Sequence, residues 1–239
     1  RTGKSDPKDA EAAAKAVLAG EALGEPKSGD GKVEMIRILR SARQSAVKAR
    51  TALAANQLKA LLVTAPEVLR YRLRELPPKE LVATCARLRP GDDDLDNIET
   101  ATRFALRSVA RRHEALSEEI AQLDAQLDRL VADVAPGLIR LPAIGTHHAA
   151  TLLVAAGDNP ERLRSEASFA SLCGVSPIEA SSGKVVRHRL NRGGNRDANR
   201  ALHMICVVRM GSDHRTRRYV ARRTAEGKSK WEIMRCLKR

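Results

Sequence analysis

Aromatic side chains are almost missing from this sequence: Tyr71, Phe104, Phe169, Tyr219 and Trp231 are the only five in 239 residues. That is too few for a platform on which successive unpaired bases could stack, so any nucleic-acid contact must run through the phosphate backbone. Long apolar runs are missing as well. None approaches the ~18–20 residues of a membrane helix, and no signal-peptide pattern is visible, so a soluble intracellular chain without a membrane partner is expected. Cysteine is sparse, and Cys85, Cys173, Cys206 and Cys236 lie far apart with neither a C-x-x-C pair nor a Cys/His cluster. This excludes a zinc module and suggests buried, reduced thiols.

Acidic residues are scarce where basic ones abound. The chain carries a net charge of +14, and a basic surface concentrates polyanions around itself. From Ala180 to Arg239 there are 17 Lys and Arg against 4 Asp and Glu, a difference of +13, whereas Leu95 to Val134 has 5 Arg against 8 acids, a difference of −3. The phosphate-facing surface is therefore expected at the C-terminal side. With 43% hydrophobic and 30% charged residues, the composition is that of a globular, not a disordered, chain.

The elements expected are mostly helical. Asp6-Pro7-Lys8-Asp9 opens an alanine-rich helix reaching about Leu23, since Asp6 can cap and Pro7 suits the first helical position. A flexible Gly/Pro/Ser link, residues 24–31, follows. Val33 to Val63 lacks Gly and Pro and reads as one long amphipathic helix, with shorter helices at 66–75 and 78–88 separated by prolines. From Leu95 to Val134, Ile98, Thr102, Ala105, Val109, Leu116, Ile120, Leu123, Leu127, Leu130 and Val134 recur at steps of mostly three and four. That stripe suits an antiparallel helical hairpin or a coiled coil. After Pro136-Gly137 the texture changes to short helices and glycine turns, placing a boundary near residue 135. Pro177 to Leu190 reads as a loop with a short hairpin at 184–187, and helices resume at 195–210, 213–225 and from Ser229. The chain opens on Arg1 inside a motif and closes at Cys236–Arg239 in mid-helix, so both ends read as cut.

Three places could carry chemistry. Asp6 and Asp9 lie three apart, on one helical face, where two carboxylates can hold a divalent cation whose other ligands are phosphate oxygens; a cap and a dipole partner are the simpler roles for them. Leu138 to Gly145 followed by the small-residue stretch Ala149–Leu153 has the pattern of a helix-hairpin-helix, in which Gly145 lets the amides of the turn approach a phosphate and Arg140 stands beside it. A purely structural helical hairpin has the same pattern. The histidine pair His147-His148 adjoins this turn, without the spacing of a zinc site. Gly174-Val-Ser-Pro-Ile-Glu-Ala-Ser-Ser-Gly183 is followed by Lys184, Arg187, Arg189, Arg192, Gly193-Gly194-Asn195-Arg196 and Arg200. A serine hydroxyl can attack a phosphodiester if cations neutralise the pentavalent transition state, although Ser-Ser-Gly alone is a turn signature.

These motifs occur in a telling order: Ser5-Asp-Pro-Lys-Asp-Ala10, Leu141-Pro-Ala-Ile-Gly145, Ala170-Ser-Leu-Cys-Gly-Val-Ser-Pro177 with Ser181-Ser-Gly183, then Arg192-Gly-Gly-Asn-Arg196 with Arg200-Ala-Leu202. In that order the sequence resembles, over essentially its whole length, the bacterial insertion-sequence transposases of the family numbered one hundred and ten. The resemblance implies three parts: the end of a RuvC-like α/β domain of RNase H fold at 1–32, a helical coiled-coil region at 33–135, and a helical transposase domain at 136–239. It implies that Asp6 and Asp9 are the third and fourth acids of an Asp-Glu-Asp-Asp site for Mg²⁺, the first two lying upstream of Arg1, so that this chain alone lacks a complete metal site. It implies that Ser182, with Ser181 the weaker neighbour, attacks DNA and holds it as a phosphoserine. It further implies double-stranded DNA as substrate, an active site shared within a homo-oligomer (dimer or tetramer), a structured guide RNA, and a cytoplasmic, nucleoid-associated location. Arg140, Gly145, Lys184, Arg187, Arg189, Arg192, Asn195, Arg196 and Arg200 are the expected nucleic-acid contacts. A non-catalytic nucleic-acid-binding fragment is the rival from another class, and a Holliday-junction resolvase using metal-activated water is a weaker third.

Overall fold

A computed structural model describes residues 6–21, 25–89, 97–184 and 188–239, and it is mostly helical, as expected. The chain divides into two compact units: Met35–Ala150, and a second assembled from both ends, Arg1–Glu34 with Thr151–Arg239.

In the 35–150 unit the helical run begins with α2 (Lys32–Ala52), passes through a π-helical stretch at Leu53–Leu58 and continues as α3 (Lys59–Val63). The absence of Gly and Pro lets it run unbroken. Pro66 and Pro77 then stand at the N-caps of α4 (Glu67–Leu73) and α5 (Pro78–Ala86), which they punctuate as anticipated. Asn97 caps the 37-residue α6 (Ile98–Val134), its side chain accepting from the Thr100 amide at 2.8 Å.

Leu58, Leu62, Leu69, Leu73, Cys85, Leu106 and Ala110 form one buried cluster joining the π-helical stretch, α3, α4, α5 and α6. Toward the other end of α6, Arg43 of α2 pairs with Asp124. Position 43 opposite 124 and position 58 near 106 make the two long runs antiparallel. Each fully buried leucine contributes about 1.5–3 kcal/mol. A half-screened ion pair contributes at most about 1 kcal/mol, so the apolar cluster, not the Arg43–Asp124 bridge, holds the unit.

Two expectations are corrected here. Over its described residues the 95–134 stripe belongs to a single uninterrupted helix, α6, whose antiparallel partner is the 32–63 run, and among those residues there is no hairpin within the segment. Its second half is buried where expected, at Ile120 and Leu127, but its first half is turned by one residue: Leu106 and Ala110 are fully buried while Ile98 is 76% exposed. The cause is that this half of α6 packs on α5 and on the 53–63 stretch, which approach from a different side.

In the other unit, α1 (Asp6–Leu18) ends five residues earlier than its composition suggests. Gly20, at φ +69°, terminates it, with Glu21 N–H donating to the Ala16 carbonyl at 2.9 Å and Gly20 N–H to that of Val17 at 3.0 Å. Asp6 is itself helical, not a cap outside the helix, and no residue of α1 is buried. The expected flexible link is instead a docked strap, as far as its described residues, 25–31, go. Asn159, itself buried, accepts from the Ser28 amide (2.9 Å) and donates to the Pro26 carbonyl (3.0 Å) and to Glu25 (3.2 Å). Asp158 accepts from the Val33 amide at 2.7 Å and the Glu34 amide at 3.1 Å, capping the start of α2 from the far end of the sequence.

The remaining elements are α7 (Pro136–Ile139), α8 (Thr146–Ala156), a 3₁₀ turn at Pro160–Arg162, α9 (Glu166–Leu172), a ribbon of β1 (Ile178–Glu179) and β2 (His188–Arg189), then α10 (Arg196–Ser212), α11 (His214–Ala225) and α12 (Lys230–Lys238). The last three pack together, burying Ala198, Ala201, Ile205, Cys206, Thr216, Ile233 and Met234. Ser229 and Glu232 close a reciprocal capping box on α12. Burial pushes the Cys85 and Cys173 thiols up to about 11 and raises that of Cys206. Cys236, expected inside, is exposed. Among the described residues no helix is long and apolar enough to cross a membrane.

The observed register is testable. Leu106→Ala is expected to cost about 2–5 kcal/mol in denaturant titration, and Ile98→Ala less than about 0.5 kcal/mol. Equal losses would contradict the register of α6.

Candidate nucleic-acid interface and serine ribbon

The serine segment is an excursion whose two ends are clamped backbone to backbone. Gly174 (φ +65°) terminates α9, with Val175 N–H bonding to the Ala170 carbonyl and Gly174 N–H to that of Ser171, both at 2.9 Å. Against this turn lies Gly194 (φ +81°). A Cβ on Gly194 would come within 2.6 Å of the Gly174 nitrogen and 2.7 Å of the Leu172 oxygen, and one on Gly174 within 2.4 Å of the Gly193 oxygen. No side chain fits in either place. The approach lets the Asn195 amide donate to the Leu172 carbonyl at 2.7 Å. Asn199 adds bonds to the Cys173 carbonyl (2.9 Å) and the Gly174 carbonyl (3.1 Å), and is itself held by Lys238 at 2.9 Å. Asn195 caps α10 by accepting from the Ala198 amide at 2.9 Å, so its side chain already has a structural task.

From this base the chain rises as the β1/β2 ribbon, with Ile178 opposite Arg189 and Glu179 opposite His188. The paired strands thus lie outside the anticipated 184–187 hairpin, of which residues 185–187, and with them Arg187, fall outside the described residues. Ser181, Ser182, Gly183 and Lys184 sit beyond β1 and are all exposed, with Gly183 at φ +57°. Arg189 and Arg192 share a groove of about 550 Å³ with Ile178, Leu190 and Gly193. Lys184, Arg189, Arg192, Arg196 and Arg200 are exposed, and none makes an ion pair among the described residues. Their charge faces solvent.

The second motif lies in the other unit. The single-turn α7 leads through Arg140 and a tight turn, with Ala143 at φ +67°, into α8. Arg140 and Gly145 are exposed, and a Cβ on Gly145 would meet nothing within 4 Å. The fold therefore does not require glycine there, and the backbone is open to approach from outside. A groove of about 570 Å³ runs along the turn past Ile144, Gly145, Thr146, His147 and His148. Thr146 donates to Asp128, and His147 stands 3.5 Å from Asp124. Burial first, then the Arg43 charge, lowers the His147 pKa against the opposing pull of Asp124 and Asp128, so it is neutral at pH 7.

Asp6 and Asp9 occupy the first turn of α1, both exposed. Among the described residues no group of three or more His, Cys, Asp or Glu side chains is gathered where it could hold a metal ion.

A family model described as "Transposase IS116/IS110/IS902 family" matches residues 136–221, and a second, a DEDD transposase model of IS110 described as "Transposase", matches residues 1–66. The chain belongs to the IS110 transposase family. The "Insertion element IS110 uncharacterized 43.6 kDa protein" of Streptomyces coelicolor is 33% identical over 141 residues, covering 59% of this chain and a third of that protein. The two family matches leave 67–135 unmatched, so most of the long antiparallel insertion of this IS110-family chain lies between them.

One basic feature of the transposase segment is not singled out by its motifs. In α11, Arg215, Arg217, Arg218 and Arg222 are exposed, and Arg222 lies over Tyr219 at 5.4 Å. The sequence HRTRRYVARRTA is their only advertisement, and helical spacing there gives no apolar stripe wide enough to bury it.

The glycine clamp yields a paired expectation. Gly194→Ala combines a left-handed backbone with backbone overlap and should cost more than about 2 kcal/mol, whereas Gly183→Ala, with open space around it, should cost only the ~1–2 kcal/mol of the left-handed conformation. Thermal denaturation reads both, and indistinguishable shifts would contradict the clamp.

Proposed function

We propose that this chain is the DNA-cutting and DNA-joining part of an insertion-sequence transposase, with Ser182 as nucleophile. The observation that carries the reading is an exposed serine pair beyond β1, above a base held by backbone contact and lined by cations that make no ion pair among the described residues. A nucleophile needs fixed placement, and a phosphodiester transition state needs positive charge that is already in position. As the Ser182 oxygen bonds to phosphorus, its proton passes to solvent and the phosphorus–oxygen bond to one sugar breaks; that sugar oxygen leaves with a proton from solvent as a free hydroxyl, and the other strand end stays on the serine as a phosphodiester. That ester keeps the bond energy for rejoining. Arg189 and Arg192 would face the phosphate from the groove, and Lys184, Arg196, Arg200 and the α11 arginines would grip the flanking backbone.

The α7–α8 turn is read as a helix-hairpin-helix that takes a second stretch of backbone at the open Gly145, with Arg140 beside it. Residues 1–32 are read as the end of a RuvC-like domain. Two exposed carboxylates suit Mg²⁺, which commonly binds through one or two carboxylates plus substrate phosphates, so Asp6 and Asp9 would hold the ion. Bound there, it would neutralise charge on a phosphate. The basic surface serves RNA phosphates as well as DNA, which accommodates a structured guide RNA, and the long antiparallel insertion is the natural seat of homo-oligomer formation. A non-catalytic nucleic-acid-binding role is the second reading, favoured by the finding that the described residues bring no third acid to Asp6 and Asp9.

Incubation of the full-length protein with Mg²⁺ and the element's own end DNA is expected to give a denaturant-resistant protein–DNA adduct. Ser182→Ala should abolish the adduct and leave affinity for the DNA unchanged. An adduct of undiminished yield in the variant sinks the serine assignment, and no adduct from the unaltered protein favours the binding-only reading.

A further inference from the structure

Four arginines from three elements line one groove of about 320 Å³ within the 35–150 unit, well away in sequence from every motif above: Arg72 on α4, Arg87 and Arg89 beyond α5, and Arg103 on α6, with Thr84 and Leu88 completing the wall. Like charges gathered this closely repel one another and call for a counter-charge. Among the described residues Glu99 supplies one, paired with Arg103, while Arg72, Arg87 and Arg89 make no ion pair there.

Local helix electrostatics account for part of the set only. Arg72 lies in the last turn of α4, and Arg87 is the C-cap of α5, its Nε donating to the Ala83 carbonyl at 2.9 Å; both sit where a helix favours a cation. Arg103 does not. It lies near the N-terminal, positive end of α6, and its Nε–H is buried without a hydrogen-bond partner among the described residues. Arg89 lies beyond the end of α5 altogether. A buried donor without an acceptor is costly, and planar guanidinium groups present paired N–H donors at the spacing of phosphate oxygens.

We propose that this groove binds a phosphate of a nucleic-acid backbone, giving the helical insertion a contact of its own in addition to the serine ribbon and the α7–α8 turn. The proposal rests on the reading of the chain as a nucleic-acid-processing protein, and it is independent of the serine chemistry. A polyanion, more than a single carboxylate, is the partner that four cations fit.

The test compares two double variants in the full chain: Arg72→Gln/Arg89→Gln in the groove, whose side chains are exposed and anchor no element, and Arg192→Gln/Arg200→Gln in the transposase segment. Affinities for duplex DNA and for single-stranded RNA of unrelated sequence are measured from 50 to 200 mM salt. Loss of two contacts lowers the slope of log affinity against log salt by about 1.8 on duplex DNA, or about 1.4 on single strands, so that the affinity lost across this range becomes about tenfold smaller. A lowered slope on DNA alone assigns the groove to DNA, on RNA alone to RNA, and on both to either; each supports it. An unchanged slope for the groove variant with a lowered one for Arg192→Gln/Arg200→Gln overturns the groove and leaves the proposed function standing. Neither variant lowering the slope overturns both. A drop in melting temperature with an unchanged slope also overturns the groove, and assigns the arginines to neutralising the acidic run Asp92-Asp93-Asp94 that follows them in sequence.

Discussion

The close approach of Gly174 to Gly194 is the constraint on which the candidate site depends. Two backbone turns meet there at a separation that a single methyl group would forbid. That contact closes the base of the 175–193 excursion, sets the start of α10 through Asn195, and gives the exposed serines a fixed mount in place of a drifting loop. Without it Ser182 is one more residue of a Ser-Ser-Gly turn. With it, cations from both sides of the excursion, Lys184 on one and Arg189 and Arg192 on the other, are tied to the same support.

A second long-range device organises the chain ends. Asp158 and Asn159 receive the strap at 25–31 and cap the start of α2 from more than a hundred residues away, so the first and last segments of the chain belong to one compact unit. Both devices have the same economy. Each joins backbone amides and carbonyls mainly through glycines and short polar side chains, with few long charged side chains drawn in: Lys238 at the clamp and Glu25 and Lys27 at the strap. Cations left outside internal ion pairs are the ones that the proposed function, with a polyanionic partner, requires.

The parts legible in the sequence were those with local causes. Prolines marked the starts of α4 and α5, the lack of Gly and Pro marked the 33–63 run, and Asn195 and Ser229 stood at the starts of α10 and α12. The end of α1 was expected about five residues too late because an alanine-rich run argues for continuation and only the left-handed φ of Gly20 shows the stop. The strap was illegible because its partners lie far along the chain, and Gly/Pro/Ser composition describes a docked segment as well as a free one. The first half of the α6 stripe was off by one residue because period alone cannot say which neighbour a helix meets; α5, not α2, decides it. At the site, the residue types were legible and the geometry was not. Gly193-Gly194-Asn195 reads as part of a basic motif in sequence and turns out to be the fastening that holds that motif in place, whereas the exposed arginines of α11 carried no motif by which to notice them.

The most direct test of the account is to map the residue that carries DNA. The full-length protein is allowed to react with Mg²⁺ and its element's end DNA, digested with nuclease and protease, and the nucleotide-bearing peptide is sequenced by mass spectrometry, in parallel for the unaltered protein and for Gly194→Ala. The account predicts a residual nucleotide on the peptide containing Ser182 in the unaltered protein, and a much smaller yield of that same peptide when the clamp is disturbed. A nucleotide on any residue outside Ser181–Ser182, or an undiminished yield from Gly194→Ala, would contradict it.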